Sequence, residues 1–162
     1  MASRGDPTGD VAPDAPSDAP FRAVERDLDL VAIETRVQDM VMSGLIFGLS
    51  DNPMELELSP GAPAPATSER WSVPLHVSFP LERVALIPEG PDYVGRVTLF
   101  IAARDDEGKQ SDMVRQEHEI RVRATDYEQA RRERWGIDLS LLMESGRYRA
   151  GVGLLDLVTR QP

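Results

Sequence analysis

The chain contains no cysteine, which excludes disulfides, thiolate metal sites and a cysteine nucleophile. Lysine is nearly absent as well: of the 18 basic residues only Lys109 is a lysine, a bias we read as compositional rather than chemical. Histidine is limited to His76 and His118. Neither stands in a two-histidine metal spacing or beside a serine and an acid in a nucleophile motif, so no catalytic residue and no metal ligand is assigned. No glycine-rich phosphate loop, dinucleotide fingerprint or nucleophile elbow occurs, and no cofactor is expected. Long apolar runs are missing too, so no membrane insertion is expected. The first twenty residues lack the apolar core of a secretory signal; either the protein stays inside or this is part of a longer polypeptide. Basic charge is in deficit, with 28 acidic residues against 18 basic and a net charge of -10. A polyphosphate partner needs a positive field, so nucleic acid is excluded as a partner.

What is present is a patterned chain of 162 residues with a 41% apolar fraction, enough for one folded domain with an extension. Residues 1–26 are dominated by Pro, Ala, Asp and Gly, with little to bury, and read as a disordered acidic tail or linker. Residues 27–49 read as an amphipathic helix, with Leu30, Ile33, Val37, Met40, Val41 and Ile46 at helical spacing. Asp27 or Asp29 would cap its start, and Gly44 or Gly48 its end. Glu34 and Asp39 are expected on the solvated side.

Residues 50–162 carry the period of two that marks strands. The longest such stretch is a hairpin from Tyr93 to Arg123, folded over Asp105-Asp106-Glu107-Gly108, with Gly108 supplying the positive φ. Its first arm places Tyr93, Val97, Leu99, Ile101 and Ala103 on one face, with Arg96 and Thr98 on the other. The return arm sets His118, Ile120 and Val122 against Glu117, Glu119, Arg121 and Arg123. Further strands are predicted at Met54 to Leu58, Trp71 to Phe79, Val84 to Ile87, Trp135 to Leu141 and Tyr148 to Leu154. Pro74, within the second of these, predicts an edge strand or a bulge. Gly151 and Gly153 in the last predict a bulge or a close backbone approach. A short helix capped by Thr125 or Asp126 joins the hairpin to the later strands. About seven strands at this spacing predict an immunoglobulin-like or fibronectin-like antiparallel β-sandwich preceded by one amphipathic helix.

Several short patterns invite chemistry and fall short of it. Arg4-Gly5-Asp6 is a bare tripeptide, read as part of an acidic linker. Asp105, Asp106 and Glu107 share one turn but lack the spaced ligands of a calcium loop, so they read as a solvated hairpin tip. Trp71 and Trp135 could stack on sugar rings; their alternation with polar neighbours favours core packing.

The order of motifs resembles the region that follows the von Willebrand factor type A domain in bacterial VWFA-related proteins. The matching stretches run from Arg36 to Pro53, through VPLHVSFPLERVALIPEG and YVGRVTLFIAARDDEGKQS, to SGRYRAGVGLLDLVTRQ. Within them lie Asp51-Asn52-Pro53, an Arg-Asp-x-x-Gly strand end, and Gly-x-Tyr-x-x-x-Val-x-x-x-Asp. The resemblance implies a β-sandwich in a larger envelope or exported protein, with an upstream type A domain as one partner. The Asp-x-Ser-x-Ser metal site of such adhesion domains is missing here, so metal-dependent adhesion does not follow. The expected function is a non-catalytic structural or protein-interaction module, with a carbohydrate-binding or enzyme-accessory module as the alternative. The expected partner contacts are Leu30, Ile33, Val37, Met40 and Val41 on the helix stripe and Pro74 on the strand edge.

Overall fold

The computed structural model describes residues 19–48 and 51–162, with side-chain surroundings from residue 29 onward. Helix α1 spans Ala19–Phe47. It begins ahead of both predicted caps, so Asp27 and Asp29 lie inside it, and residues 19–26 of the expected tail are helical. The physical reason is that nothing between Phe21 and Arg26 breaks a helix, while Pro20 sits in the first turn, where its missing N–H costs no bond. The rest of the expected tail, with Arg4-Gly5-Asp6, lies outside the described residues. At the other end Gly48 takes φ +67° and donates its N–H to the Gly44 carbonyl at 2.9 Å, the left-handed stop that glycine favours.

Among the described residues eight strands follow in two four-stranded sheets. They are β1 (Glu57–Pro60), β2 (Ala64–Pro65), β3 (Trp71–Pro80), β4 (Ile87–Glu89), β5 (Asp92–Asp105), β6 (Val114–Arg123), β7 (Arg134–Met143) and β8 (Tyr148–Asp156). A short helix α2 (Tyr127–Ala130) connects β6 to β7. Two predicted strands are shifted: the one placed at Met54 to Leu58 begins at Glu57, and the one placed at Val84 to Ile87 is Ile87–Glu89, preceded by a 3₁₀ turn at Leu81–Arg83. The molecule is a β-sandwich preceded by a helix.

In the first sheet β3 is central. β7 pairs with it from Trp71↔Met143 to Pro80↔Arg134, so β1 and β2 share its other side. Pro74 is therefore not on an edge strand. It stands where β1 has ended and β2 has not begun, and its carbonyl accepts from Gly61 N at 2.8 Å. The donor that proline lacks faces this break in the ladder, which is why a central strand tolerates it.

In the second sheet β5 is central, with β6 on one side and β4 and β8 on the other. The turn closes as predicted: Gly108 has φ +89°, its N–H reaches the Asp105 carbonyl at 3.1 Å, and Lys109 N donates to Asp105 Oδ1 at 2.7 Å.

Two apolar layers result. Between the sheets lie Leu75, Val77, Phe79, Val97, Leu99, Ile101, Ile120, Ile137 and Leu154, all buried. Outside the second sheet, Phe100, Ala102 and Leu155 are buried against Val37, Val41 and Leu45 of α1. Thus β5 is covered on both faces, and the face assigned to Thr98 is roofed by the helix. Each of the three helix side chains contributes about 1.5–3 kcal/mol by leaving water. Gly151 and Gly153 explain why α1 can settle there: a Cβ on Gly153 would lie 2.7 Å from both Val37 Cγ1 and Val41 Cγ2. The two glycines mark a close approach. Glu34, expected in solvent, instead accepts from Arg115 Nη2 at 2.7 Å and Nε at 3.2 Å, tying α1 to β6. Hydrogen bonds to Glu34 and then Glu117 raise the Arg115 pKa well above its ordinary value. Being near the surface, the pair contributes about 0.2–1 kcal/mol.

One hydroxyl is wasted under the helix. Thr98 is fully buried opposite Leu155, and its Oγ1 has no hydrogen-bond partner among the described residues. Thr98→Val keeps the shape and removes the stranded group, so it is expected to raise unfolding stability by about 1 kcal/mol. Urea denaturation checks this, and a midpoint at or below that of the parent protein would contradict it.

Candidate functional site

The sandwich is open along one side, between the β8 edge of the second sheet and the β1 edge of the first. A groove of about 520 Å³ lies there. One wall is α1, from Val37 to Gly48; the other is the segment from Asp51 to Leu58; residues Arg149 to Leu154 of β8 run along it. Its lining is mostly apolar, with Asp51 and Arg149 as the charged members.

The groove keeps its shape through local bonds. Asn52 Nδ2 donates to the Leu56 carbonyl at 3.0 Å, and Leu56 N donates to Asn52 Oδ1 at 2.7 Å. This clasp holds Glu55 at φ +51°, an uncommon conformation for a side-chain-bearing residue, and delivers Met54 into the core. At the end of β8, beyond the groove's lining, Asp156, 1% exposed, accepts from Ala85 N and Val158 N at 2.8 Å each. The chain therefore turns sharply after β8, and Asp156 N donates to the Gln161 carbonyl at 3.0 Å. Pro162 joins the lining.

The expected contact residues divide in this setting. Val37 and Val41 are 2% and 5% exposed because they pack on β5 and β8, so most of their surface is spent within the chain. Leu30 and Ile33 are half-buried on the same cluster. Met40 is half-buried and lines the groove. Pro74 lies away from all of these, on a shallow depression of the first sheet with Ser59, His76 and Asp138.

No family model matches this chain. No curated protein matches it either. Among solved structures, an X-ray structure of Northeast Structural Genomics Consortium target SoR45 is similar at 12% identity and a TM-score of 0.41, covering 69% of this chain and 80% of that one.

The depression around Pro74 holds an ion-pair geometry that sequence reading missed. His76 Nδ1 and Asp138 Oδ1 are 2.7 Å apart, joined by the register of β3 with β7. Ser59 stands opposite His76 on β1, so Ser59, His76 and Asp138 form a row across three strands. Among the described residues no hydroxyl bonds to the second ring nitrogen of His76, and the His76 and Asp138 side chains are 50% and 85% exposed. On an open sheet face the pair is screened by water and serves to hold β3 to β7. The two residues are 62 positions apart, so only strand register could have revealed them. His118 faces inward opposite Val97, as its alternation required, and its Nε2 is buried with no hydrogen-bond partner among the described residues.

The tryptophans are also separated. Trp71 pairs with Met143 at one end of the first sheet and is 39% exposed; Trp135 pairs with Phe79 at the other end and packs on the core. Eight residue steps of strand from Trp71 to Phe79 set them about 27 Å apart, too far to grip one sugar ring.

Proposed function

We propose that this chain is a non-catalytic protein-interaction module belonging to a larger bacterial envelope or exported protein, and that it docks its partner in the groove between α1 and β8. The first partner to test is an upstream type A domain, which the VWFA-related resemblance implies. The single observation that carries the docking reading is the mostly apolar groove between α1 and β8, one wall of which is held in shape by Asn52. Stable protein contacts bury such concave apolar surface, with polar groups at the rim.

We also read the sandwich as a variant of the immunoglobulin-like arrangement. The support is its pairing: β1 and β2, then β3, then β7 in one sheet, and β6, β5, β8 in the other. An immunoglobulin domain has one further strand beyond the position of β8, and that place holds no strand among the described residues.

The docking reading is tested by placing a photo-crosslinking side chain at Ala150, in the groove, and separately at Arg132, next to α2. A discrete protein adduct in cells from the first position alone is expected. Adducts equally abundant at both positions, or at neither, would remove the groove as the docking site. The carbohydrate alternative predicts that glycans shift the fluorescence of exposed Trp71, and we expect no such shift.

A further inference from the structure

We propose that the groove takes an extended segment of a partner polypeptide as an added strand, running antiparallel to β8 and hydrogen-bonded to its free edge. This rests on the docking reading above and specifies its mode and partner chemistry.

The argument starts from the hydrogen-bond phase of β8. In an antiparallel ladder, alternate residues direct N–H and C=O toward the same neighbour. Leu157 N donates to the Arg96 carbonyl at 2.9 Å, so the odd-numbered residues of β8 face β5. The even-numbered ones face away, and the bond from Asp156 N to Gln161 O confirms that phase. Ala150, Val152 and Leu154 therefore present their backbone groups to the groove, with no backbone partner among the described residues. The edge deepens along its length, from exposed Ala150 through half-buried Val152 to Leu154, 2% exposed. Backbone donors and acceptors at that depth are costly to leave unpaired.

An extended peptide meets this requirement directly. It offers the same alternating donors and acceptors at the same spacing, and every second side chain enters the apolar groove. From Ala150 to Leu154 the edge is about 13 Å long, so a partner segment of about five residues, alternate ones hydrogen-bonded to β8, would complete the ladder. The antiparallel direction is part of the proposal and follows the pattern of the chain's own antiparallel bridge on this edge, between Asp156 and Gln161. A second copy of this chain is a poor occupant. The edge is recessed between α1 and the segment from Asp51 to Leu58, which admit one strand but would collide with the same walls of a copy. The net charge of -10 favours encounter with a basic segment. The expected partner is thus a strand of alternating aliphatic and polar residues with basic flanks. The edge of β6 is a weaker acceptor, because Arg115, Glu117, Glu119 and Arg121 form charged pairs along that strand.

The probe is a synthetic peptide of about eight residues, alternating valine and threonine between terminal lysines, added to the full chain. Amide exchange followed by NMR is expected to slow at Ala150, Val152 and Leu154 by about tenfold or more on binding. The same peptide N-methylated at alternate residues keeps its side chains and loses its donors, and should bind about tenfold or more weakly. Ala150→Pro removes an N–H that serves no bond to β5, so it should abolish binding while leaving thermal unfolding unchanged. Equal affinity for the N-methylated peptide, or protection located on β6 or β7, overturns strand addition. A stable dimer in sedimentation without peptide, with the same amides already protected, overturns it in favour of a second copy. If a crosslinked partner is captured at Ala150 but the peptide leaves these amides exposed, strand addition fails and groove docking stands. If the amides are protected by the peptide and no adduct forms in cells, strand addition is a capacity of the edge and the docking reading fails.

Discussion

Replacing Asp156 with alanine is expected to lower unfolding stability by about 3 kcal/mol, the largest loss from any single truncation near the groove. The carboxylate is 1% exposed and receives backbone N–H groups from two distant parts of the chain. Ala85, in the connection between β3 and β4, donates at 2.8 Å; Val158, in the final turn, donates at 2.8 Å; Thr159 adds a longer contact at 3.4 Å. Alanine would leave these donors facing one another with no acceptor, in a place water reaches poorly. Asp156→Asn keeps the shape and one acceptor oxygen but turns an amide group toward donors, so an intermediate loss of about 1–2 kcal/mol is expected. Urea denaturation of both variants decides this. A loss below about 0.5 kcal/mol for the alanine variant would show that the carboxylate does not hold the turn. Because that turn also brings Gln161 to the edge of β8, the alanine variant should expose the Asp156 amide to exchange.

Gly153→Val is expected to act differently, by lifting α1 off the second sheet. The new Cβ alone would sit 2.7 Å from Val37 Cγ1 and from Val41 Cγ2, and valine's branched side chain has little rotamer freedom to escape. Neither neighbour can retreat, since both are buried against the sheet. Overpacking of this kind costs about 1–3 kcal/mol if the helix stays docked, and undocking becomes the easier response. Trypsin should then cut at Arg36, which the docked helix protects, and a hydrophobic dye should bind the uncovered face around Phe100. The strands should keep their circular dichroism signal, because the layer between the sheets is untouched. Gly151→Ala, where the nearest contact would be 3.0 Å from Leu45 Cγ, is expected to give a milder version. Unchanged trypsin resistance in the valine variant would refute the claim that the glycines make the docking surface.

The residues that carry the family resemblance have clear work in this structure, and the work is structural. Asn52 of Asp-Asn-Pro closes the clasp on Leu56. Asp105 and Gly108 of Arg-Asp-x-x-Gly build the hairpin tip. Asp156, the last residue of the Gly-x-Tyr motif, holds the final turn. Such residues were visible in the sequence as motifs, but their partners were not, because each bond depends on where a separate segment of backbone passes.

Alternation by itself determined most of the strands, the inward set of the hairpin and the tight turn at Gly108, since period-two patterning and a glycine turn are local properties of the chain. It also showed a helix with one apolar stripe. Tertiary structure decided what that stripe covers. The run VTLFIAA within β5 is apolar on both faces, the mark of a strand buried on both sides, yet it reads as a one-sided strand until a helix is placed above it. Pro74 was legible as a missing donor, but only the strand order showed that the donor faces a gap in a central strand rather than an open edge. The groove is of the same kind. It arises because β8 and β1 end their sheets on the same side, while α1 and Asn52 hold its walls apart. A vacancy between non-adjacent segments leaves no period in the sequence, so only the packed chain reveals it.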